Sequence, residues 1–388
     1  MRIICVHNYY QQRGGEDEVF DSEISLLRDH GHDVLTLTAD SAAVGGASLF
    51  RAALENVWSL AAARQIDVMI RQWNPDLVHV HNLFPQISPS VIAAARQHSV
   101  PVVATLHNYR LACIRGDLFR NGSVCLDCLE SGHSLPGIVH RCYRDSLAAS
   151  TAAAVAREVH QHGQIWNRGV TSFIAPSQTA RDTMARAGLP VSKITIKPHF
   201  LHPDPGIGTG ATGDVVLAGR LSAEKGIELV VSTWARNPEL PPLSVIGDGP
   251  LQGTARRTAA GSERIRFLGA QSRSDTICRI GGAAAVVSGS LCRETFGLVA
   301  LESLATGTPC VVPSGTALAE LVEPGKTGEI YEQGDARALA QAVLRAVDAD
   351  GYVNRRQSAR LAFERRYTAQ TNYDLLMKIY ESATSAAS

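Results

Sequence analysis

The feature of this sequence that most constrains its fold is a regular alternation of short apolar runs with longer helix-like segments. The strand candidates, in chain order, are Ile3–Val6, Val34–Thr38, Leu77–Val80, Val102–Leu106, Phe173–Ala175, Ile194–Lys197, Val215–Ala218, Leu243–Ile246, Ile265–Leu268, Ala284–Ser288 and Cys310–Val312. The helix candidates between them include Asp17–His30, Ser88–His98, Gln178–Ala187, Ile227–Arg236 and Ala336–Val347. Strands that alternate with crossover helices build parallel sheets with helices packed on their faces. The sequence therefore predicts an α/β fold built on doubly wound, Rossmann-like sheets.

A break in this alternation divides the chain in two. With 388 residues the chain is long for one hydrophobic core and sufficient for two. The segment Pro198–Gly213 contains several prolines and glycines and few apolar residues, which is typical of a linker. We therefore predict an N-terminal domain over residues 1–198 and a C-terminal domain over residues 199–366. An amphipathic helix that begins at Tyr367 follows them.

A pair of glutamates marks the candidate ligand site. Glu294 and Glu302 lie eight positions apart, and a helix is predicted to begin at Leu298, directly after Gly297. The first amides of a helix, here those of Leu298 and Val299, favour anions such as a diphosphate. An ionised carboxylate only accepts hydrogen bonds, so the two glutamates suit neutral hydroxyl groups. A sugar joined to a nucleotide diphosphate offers both kinds of partner.

Two cations upstream strengthen this interpretation. Arg220 and Lys225 follow the predicted strand Val215–Ala218, and a planar guanidinium together with a compact ammonium suits phosphate. Ligands of parallel sheets bind at the carboxyl ends of the strands, which is where both residues lie. The alternative, two solvated surface cations, is the weaker explanation.

The combination of these motifs with several others, in a fixed order, resembles a known family. The order is Gly14-Gly15, Gly31-His32-Asp33-Val34, Pro75-Asp76-Leu77-Val78-His79-Val80-His81, Thr105-Leu106-His107-Asn108, Ala175-Pro176-Ser177, Gly219-Arg220, Lys225-Gly226, Val245-Ile246-Gly247-Asp248-Gly249-Pro250, Glu294 with Glu302, and Gly307-Thr308-Pro309. In this pattern the chain is similar to the retaining glycosyltransferases of family GT4. The resemblance implies the GT-B fold, with two Rossmann-like domains facing across a cleft. It also implies an acceptor-side N-terminal domain, a C-terminal domain that binds the nucleotide sugar, and a last helix within residues 367–388 that returns to the first domain.

The resemblance also implies roles for individual residues. Arg220 and Lys225 would hold the donor diphosphate, Glu302 the ribose hydroxyls and Glu294 the transferred sugar. His107 would contact that sugar near its 6-position, although a histidine that caps a strand end is the plainer alternative. The implied catalytic set is therefore His107, Glu294, Arg220 and Lys225. The further donor-binding candidates are Gly14, Gly15, Gly219, Gly247, Phe296, Gly297, Leu298, Val299 and Glu302.

The acceptor candidates lie in the N-terminal domain. Asn108, Tyr109 and Arg110 follow His107, and a cationic group there would suit a phosphate or carboxylate on the acceptor, although solvated loop residues are the commoner explanation. Of two nearby histidines, His79 and His81, one is expected to point into the core and the other towards the cleft, by strand alternation.

Metal chemistry is not indicated for the transfer itself. Glu16-Asp17-Glu18 and Asp348-Ala349-Asp350 resemble an Asp-x-Asp metal motif only superficially. We therefore expect metal-independent transfer, with Arg220 and Lys225 replacing a divalent cation at the leaving diphosphate. Because no side chain in the motifs is an evident covalent nucleophile, we expect the family's retaining mechanism to follow a front-face route.

A cluster of cysteines lies in the N-terminal domain. Its members are Cys113, Cys125, Cys128 and Cys142. Four thiolates can hold a structural zinc ion, which would staple a long loop. Structural zinc, free thiols and disulfides all stay open from the sequence, and catalytic zinc is disfavoured because four thiolates leave no open position.

Charge and composition limit the remaining functions. Lysine plus arginine and aspartate plus glutamate both number 37, so no overall field points to nucleic acid. The run Arg2–Val6 is strand-like rather than a signal segment, and eight cysteines without one favour a reducing compartment. The expected location is the cytoplasm, with peripheral contact to the inner membrane face left open.

The expected function is transfer of a hexose-type sugar to a hydroxyl acceptor in polysaccharide or glycoconjugate biosynthesis. UDP-sugar is favoured as the donor and GDP-sugar is the alternative; the acceptor is a glycan, a lipid-linked sugar or a small molecule. The competing readings are a natural-product glycosyltransferase, a nucleotide-sugar epimerase and a non-catalytic binding protein on the same fold.

Overall fold

The computed structural model describes residues 1–40 and 55–386 of the chain. These residues form two compact units. The first comprises Met1–Leu118, Leu126–Pro198 and Asn372–Ser388, and the second comprises Phe119–Cys125 and His199–Thr371. Each unit contains a six-stranded sheet in which every neighbouring pair is parallel. The predicted α/β architecture with two parallel sheets is confirmed.

The strands are short and mostly buried, as expected from the apolar runs that form them. They are β1 (Arg2–Tyr9), β2 (Asp33–Asp40), β3 (Leu77–Asn82), β4 (Val102–Thr105), β5 (Phe119–Arg120), β6 (Ser123–Val124), β7 (Ser172–Ala175), β8 (Ile194–Ile196), β9 (Val215–Ala218), β10 (Leu243–Ile246), β11 (Ile265–Gly269), β12 (Ala285–Val287), β13 (Cys310–Pro313) and β14 (Gly328–Tyr331). The first sheet has the order β2-β1-β3-β4-β7-β8 and the second β11-β10-β9-β12-β13-β14, while β5 and β6 form a small antiparallel hairpin.

Helices connect the strands. They are α1 (Gly15–Asp29), α2 (Leu60–Trp73), α3 (Ser90–Gln97), α4 (Asp127–Ser131), α5 (Leu135–Val139), α6 (Leu147–His162), α7 (Ile165–Gly169), α8 (Gln178–Arg186), α9 (Ile227–Arg236), α10 (Gln252–Thr258), α11 (Arg273–Gly282), α12 (Leu298–Ala305), α13 (Ala336–Val347), α14 (Tyr352–Arg366) and α15 (Ala369–Ser385). Short 3₁₀ turns occur at Val191–Lys193, Ala223–Lys225 and Ala317–Leu321. Within the described ranges no helix has the length and hydrophobicity that crossing a lipid bilayer requires.

The first sheet is covered by apolar side chains on both faces. Along β1, Ile4 and Val6 join one buried cluster, whereas Ile3 and Cys5 join another. This division follows from the two-residue period of a strand, which sends successive side chains to opposite faces. On the Ile3 side, the cluster is completed by Leu376, Ile379 and Tyr380 of α15.

The second sheet is built in the same way. Val215 and Leu217 of β9 belong to one cluster, and Val216 between them belongs to the cluster on the other face. Because both faces are buried, these strands read as continuous apolar runs rather than as alternating ones. The carboxyl ends of β9, β10 and β12 therefore open into loops that are anchored by a rigid sheet.

Candidate active site

The loops after β9 and β10 touch through their backbones. Gly219 and Gly247 have φ angles of 145° and 128°, and a Cβ atom on Gly247 would lie 1.9 Å from the carbonyl oxygen of Gly219. Any other residue at position 247 would have to push this backbone away. The two predicted glycines thus form one close-packed corner in the second unit, at the carboxyl edge of its sheet.

The next residues of the β9 loop bring Lys225 to Glu294. The 3₁₀ turn Ala223–Lys225 ends at Gly226, where φ is 63° and a Cβ atom would meet the carbonyl oxygen of Gly289 at 1.9 Å. Lys225 Nζ donates to Glu294 Oε1 over 2.6 Å, and Ser290 Oγ donates to the same oxygen over 3.0 Å. Lys225, which we predict to bind the phosphate, therefore forms an ion pair with Glu294, which we predict to bind the sugar.

Burial alone would lower the pKa of Lys225, but the carboxylate of Glu294 outweighs it and raises that pKa above the ordinary value. Lys225 is 40% exposed at its side chain, so its charge remains accessible to an anion from solvent. The pair is therefore a charged site at the surface rather than a sealed structural bridge.

The helix that follows Glu294 begins where the sequence predicts. α12 starts at Leu298, and Gly297 precedes it with a φ of 110°. The first amides of a helix have no acceptor within the helix, so those of Leu298 and Val299 are available to an anion. Glu302 lies on this helix, with Arg273 Nε 3.6 Å from its Oε1.

Arg220 and Phe296 differ in their surroundings. Arg220 is exposed, and its guanidinium makes no hydrogen bond or ion pair with the residues that the structure describes. Phe296 is only 4% exposed and packs edge-on against His199, with ring centroids 5.0 Å apart. Phe296 therefore packs in the apolar core next to the loop that carries Glu294, whereas Arg220 extends into solvent.

In the first unit, the turn at Gly14 and Gly15 is fixed by a buried acid. Asp17 Oδ2 accepts a hydrogen bond from the Gly14 amide over 2.9 Å, and Asp17 Oδ1 accepts from His7 Nε2 over 2.7 Å. His7 and Asp17 are completely buried. Asp17 is thus a structural residue of the helix start, which accounts for part of the acidic run that resembles a metal motif.

The side chain of His107 contacts a network of buried polar side chains. Its Nε2 lies 2.9 Å from His81 Nδ1, and His81 Nε2 lies 3.3 Å from Glu23 Oε1. His79 Nδ1 lies 3.1 Å from the same carboxylate oxygen. The expectation that His79 and His81 point in opposite directions is wrong, because residues two apart on a strand share a face.

The three residues after His107 have different surroundings. Asn108 Nδ2 donates to Glu16 Oε1 over 3.0 Å, and burial raises the pKa of Glu16 above its ordinary value. Arg110 lies over the ring of Phe84, with its Cζ 4.1 Å from the centroid. Tyr109 is 1% exposed and belongs to the apolar core, so packing accounts for it.

A cavity of about 310 Å³ opens beside these residues within the first unit. Its walls include His81, His107, Asn108, Arg110 and Trp166. Arg110 Nε and Trp166 Nε1 are buried donors that make no hydrogen bond within residues 1–40 and 55–386. Both nitrogen atoms are shielded from solvent although their residues line the cavity.

Potential metal ligands cluster in one place within the described ranges. Glu23, His79 and His81 bring three ligand atoms within 4.8 Å of one another. Lys197 Nζ donates to Glu23 Oε2 over 2.8 Å, so an ammonium group already supplies the positive charge there.

The predicted zinc cysteines are less closely grouped. Cys113, Cys128 and Cys142 do not bring their three sulfur atoms within 4.8 Å of one another. Burial, and then the thiols of Cys113 and Cys142, contribute to raising the pKa of Cys128 to about 11. Zinc would have to draw these thiols together and deprotonate them. Structural zinc stays a prediction, which metal analysis of protein purified without added zinc would test.

Several contributors to these sites were not found from the sequence. Glu23 and Lys197 lie in segments predicted as ordinary helix and strand, and Ser290 and Arg273 carry no motif. Their roles arise from contacts between residues distant in sequence, such as the 174 positions that separate Lys197 from Glu23. For the network around Glu23, the His79-x-His81 pattern was the one feature of the sequence that drew attention to this region.

Comparison with known proteins agrees with this architecture. The family model "Glycosyltransferase Family 4" matches residues 14–204, and "Glycosyl transferases group 1" matches residues 212–349. The chain therefore belongs to the GT4-type glycosyltransferases of the GT-B fold. Membership makes it a transferase, while its donor and acceptor are separate questions.

Individual relatives are distant. The glycogen synthase of Mycobacterium tuberculosis is 28% identical over 81% of this chain and 70% of its own length. A phosphatidyl-myo-inositol mannosyltransferase of Propionibacterium freudenreichii is 24% identical over 96% of this chain and 90% of its own. Among solved structures, Anabaena HepE in complex with UDP has a TM-score of 0.69 at 16% identity, covering 98% of this chain and 100% of that one. At that identity the likeness concerns the fold alone.

Proposed function

We propose that the chain transfers a hexose-type sugar, with retention of anomeric configuration and without a metal ion, from a nucleotide-diphosphate sugar to a hydroxyl acceptor. The observation that carries the donor half is the Lys225–Glu294 pair beside the first amides of α12. A diphosphate would take the ammonium and the amides, and the glutamates would accept hydrogen bonds from sugar and ribose hydroxyls. Arg220, exposed on the same loop, would neutralise the leaving phosphate.

The acceptor half of the proposal rests on the cavity in the first unit. Polar residues in its wall, among them His107, Asn108 and Arg110, suit the hydroxyl groups of a glycan, a lipid-linked sugar or another hydroxylated acceptor. The relatives act in glycan and glycolipid synthesis according to their names, which supports polysaccharide or glycoconjugate biosynthesis as the setting. UDP is the favoured nucleotide because a solved neighbour binds it, and GDP is the alternative because GDP-mannose-dependent relatives exist.

A thermal-shift panel tests the donor half. UDP, GDP, ADP and TDP would be added to the wild type, to Lys225→Ala and to Lys326→Ala, a matched control in which an exposed lysine is removed. A nucleotide at about 100 times its Kd should stabilise the protein by about 2.7 kcal/mol. We expect one nucleotide to shift the wild type and Lys326→Ala but not Lys225→Ala. No shift with any nucleotide would contradict the proposal.

Product analysis tests the chemistry. Activity should persist in a chelator, and nuclear magnetic resonance of the product should show the anomeric configuration of the donor. Loss of activity in the chelator, restored by a divalent cation, would overturn metal independence. A glycosylated carboxylate trapped in the protein would overturn the front-face route. Sugar conversion that needs no acceptor would favour the epimerase alternative.

A further inference from the structure

Helix α6 turns an apolar face towards solvent. Leu147, Val155 and Val159 are 53%, 47% and 44% exposed, and Thr151 between them is exposed as well. These four residues follow one another at intervals of four positions, so they form one row along about 18 Å of the helix. A surface helix usually turns charged and polar side chains outwards and keeps its apolar residues for the core. The outer face of α6 therefore lacks the composition expected for contact with water alone.

The charged side chains of α6 do not offset this row. The helix contains one arginine and one glutamate, Arg157 and Glu158. Arg157 is buried, and its Nη1 donates to Glu158 Oε1 and to Ser134 Oγ, each over 2.9 Å. Glu158 Oε1 also accepts a hydrogen bond from the Ser134 amide over 2.8 Å. The two charges thus balance each other beside α5, and the row itself carries none.

Helix α5 adds exposed apolar residues beside α6. Its Ile138 packs against a small apolar cluster that includes Ala153 and Ala154 of α6. Leu135 and Val139, four positions apart on α5, are both more than half exposed. Contiguous exposed apolar residues of this kind mark interaction sites more often than singly scattered ones do.

Two cations lie in the loop between these helices. Arg141 and Arg144 are exposed, and neither guanidinium makes an ion pair with the residues that the structure describes. The helix dipole disfavours a positive charge before the first turn of a helix, so the stability of α6 does not account for them. Asp145 is the one exposed carboxylate between residues 133 and 162. The exposed charges of this region therefore favour an anionic partner.

We propose that these residues form a surface that docks on an anionic lipid bilayer. This surface, the α6 surface, consists of the row on α6 together with Leu135, Val139, Arg141 and Arg144. The apolar side chains would enter the boundary between headgroups and acyl chains, and the arginines would bind lipid phosphates. A fluid lipid interface closes around a convex helix. A stable protein interface needs about 800 Å² from each partner, which is more than one row with three apolar side chains supplies.

The opposite face of α6 lines the cavity proposed for the acceptor. Ala153, Ala156, Arg157 and His160 are among the wall residues, and about half a helical turn separates them from the exposed row. Docking would therefore hold the cavity about one helix diameter, roughly 10 Å, from the lipid surface. One consequence rests on the proposed function: of the three acceptor classes, a lipid-linked sugar is the one that this position serves.

Vesicle flotation of the full-length protein tests the docking without any donor or acceptor. Vesicles of phosphatidylcholine alone are compared with vesicles that contain about one-third phosphatidylglycerol, at low and at physiological salt. We expect the protein to bind the anionic vesicles, and this binding to fall as salt is raised. A wild type that does not bind anionic vesicles at low salt, or that binds both kinds equally well, overturns the proposal. The wild-type result decides even if a variant does not fold.

Paired variants test the apolar row. Leu147→Gln combined with Val155→Gln removes a leucine and a valine eight positions apart. The matched control combines Val353→Gln with Leu361→Gln, which removes an exposed valine and an exposed leucine at the same spacing on α14. We expect the row variant to bind anionic vesicles at least about tenfold more weakly, and the control to bind like the wild type. Equal binding by the two folded variants would overturn the role of the row.

A second pair of variants tests the cations. Arg141→Gln combined with Arg144→Gln should weaken binding to anionic vesicles about tenfold or more and reduce its salt dependence. Arg337→Gln combined with Arg365→Gln, two exposed arginines of the second unit, should change neither. Unchanged binding in the Arg141–Arg144 variant would overturn the role of the arginines.

Two further outcomes separate this proposal from its alternatives. A dimer in sedimentation experiments that dissociates in the row variant, with no vesicle binding by the wild type, would overturn the proposal in favour of a second copy of the chain. Vesicle binding by a protein that transfers no sugar would contradict the proposed function and still support the docking. Sugar transfer by a protein that binds no vesicles would overturn the docking alone.

Discussion

Lys225 Nζ and Glu294 Oε1 lie 2.6 Å apart, although 69 positions separate the two residues in the chain. The pair is held by glycine-dependent backbone contacts at Gly226 and Gly289, where no Cβ atom would fit. The ammonium is 40% exposed. A pair this exposed contributes little to stability, usually about 0–1 kcal/mol, and the role we predict for it is ligand binding.

This separation of stability from activity leads to the first prediction. Glu294→Gln should lower kcat/KM by about 10²–10³, the usual cost of removing one preorganised polar group, while changing the free energy of unfolding by less than about 1 kcal/mol. Steady-state kinetics and urea unfolding measure the two quantities. Glu323→Gln, which removes the exposed partner of Lys326, serves as control and should change neither.

The second prediction concerns the contact between the β9 and β10 loops. Gly247→Ala should destabilise the protein by about 2 kcal/mol or more, because the Cβ atom would lie 1.9 Å from Gly219 O and φ is positive. Gly269→Ala is the matched control: its φ is also positive, at 73°, but nothing lies within 4 Å of the new atom. Urea unfolding should give a clearly larger loss for Gly247→Ala. Equal losses would show that backbone conformation alone, and not the contact, requires glycine.

The third prediction concerns the buried pair Lys197–Glu23. Lys197→Met should reduce the free energy of unfolding by about 3–5 kcal/mol, because it leaves a buried carboxylate without its cation. Adding Glu23→Leu should recover part of this loss, since the uncompensated charge is then removed as well. Denaturant unfolding of both variants measures which of them has the larger free energy of unfolding. A double variant less stable than Lys197→Met would contradict this account.

The fourth prediction is a pH dependence that originates at His81, which faces Glu23, His79 and His107. Because the folded pKa is about 3 and the unfolded value about 6.5, the unfolded state binds one more proton between these limits. Stability should therefore fall by about 1.4 kcal/mol per unit as pH drops below about 6.5. The depressed pKa of Glu23 acts only at lower pH, below about 4.5.

The variant His81→Asn, whose side chain does not titrate, isolates this term. Its free energy of unfolding should depend less steeply on pH between about 5 and 6.5 than that of the wild type. His162→Asn is a suitable control because its side chain is 81% exposed. A slope unchanged in His81→Asn would mean that another group binds the proton.

Much of the fold could be predicted because each buried parallel strand is a short apolar run bounded by polar residues. The start of α12 was equally visible, since Gly297 and the apolar run after it are local signals. The hairpin of β5 and β6 was not, because two-residue strands have no periodicity to detect. Helix α2 was not among the predicted helices, although Ala62, Ile66 and Ile70 repeat every four positions and Ser59 caps it.

The sequence identified individual residues of the candidate site but not the contacts between them. Lys225 and Glu294 belong to separate motifs, and neither spacing nor composition indicates that they share a hydrogen bond. The same holds for His81 and His107. His81 lies on β3 and His107 follows the neighbouring strand β4, and the register of these strands is set by the packing of the whole sheet. Glu23 could not be assigned at all, because a glutamate on an amphipathic helix is usually solvated, and only the folded unit shows that it is buried.

The position of α15 has a consequence for the order of events during synthesis. Its Leu376, Ile379 and Tyr380 complete the apolar layer over Ile3 and Cys5, and its Asn372 accepts a hydrogen bond from Lys197. The ribosome therefore releases the first strand of the chain long before the residues that cover it exist. One face of the sheet in the nascent N-terminal half therefore stays incomplete until α15 has been translated, so apolar side chains on that face are exposed to chaperones in the meantime.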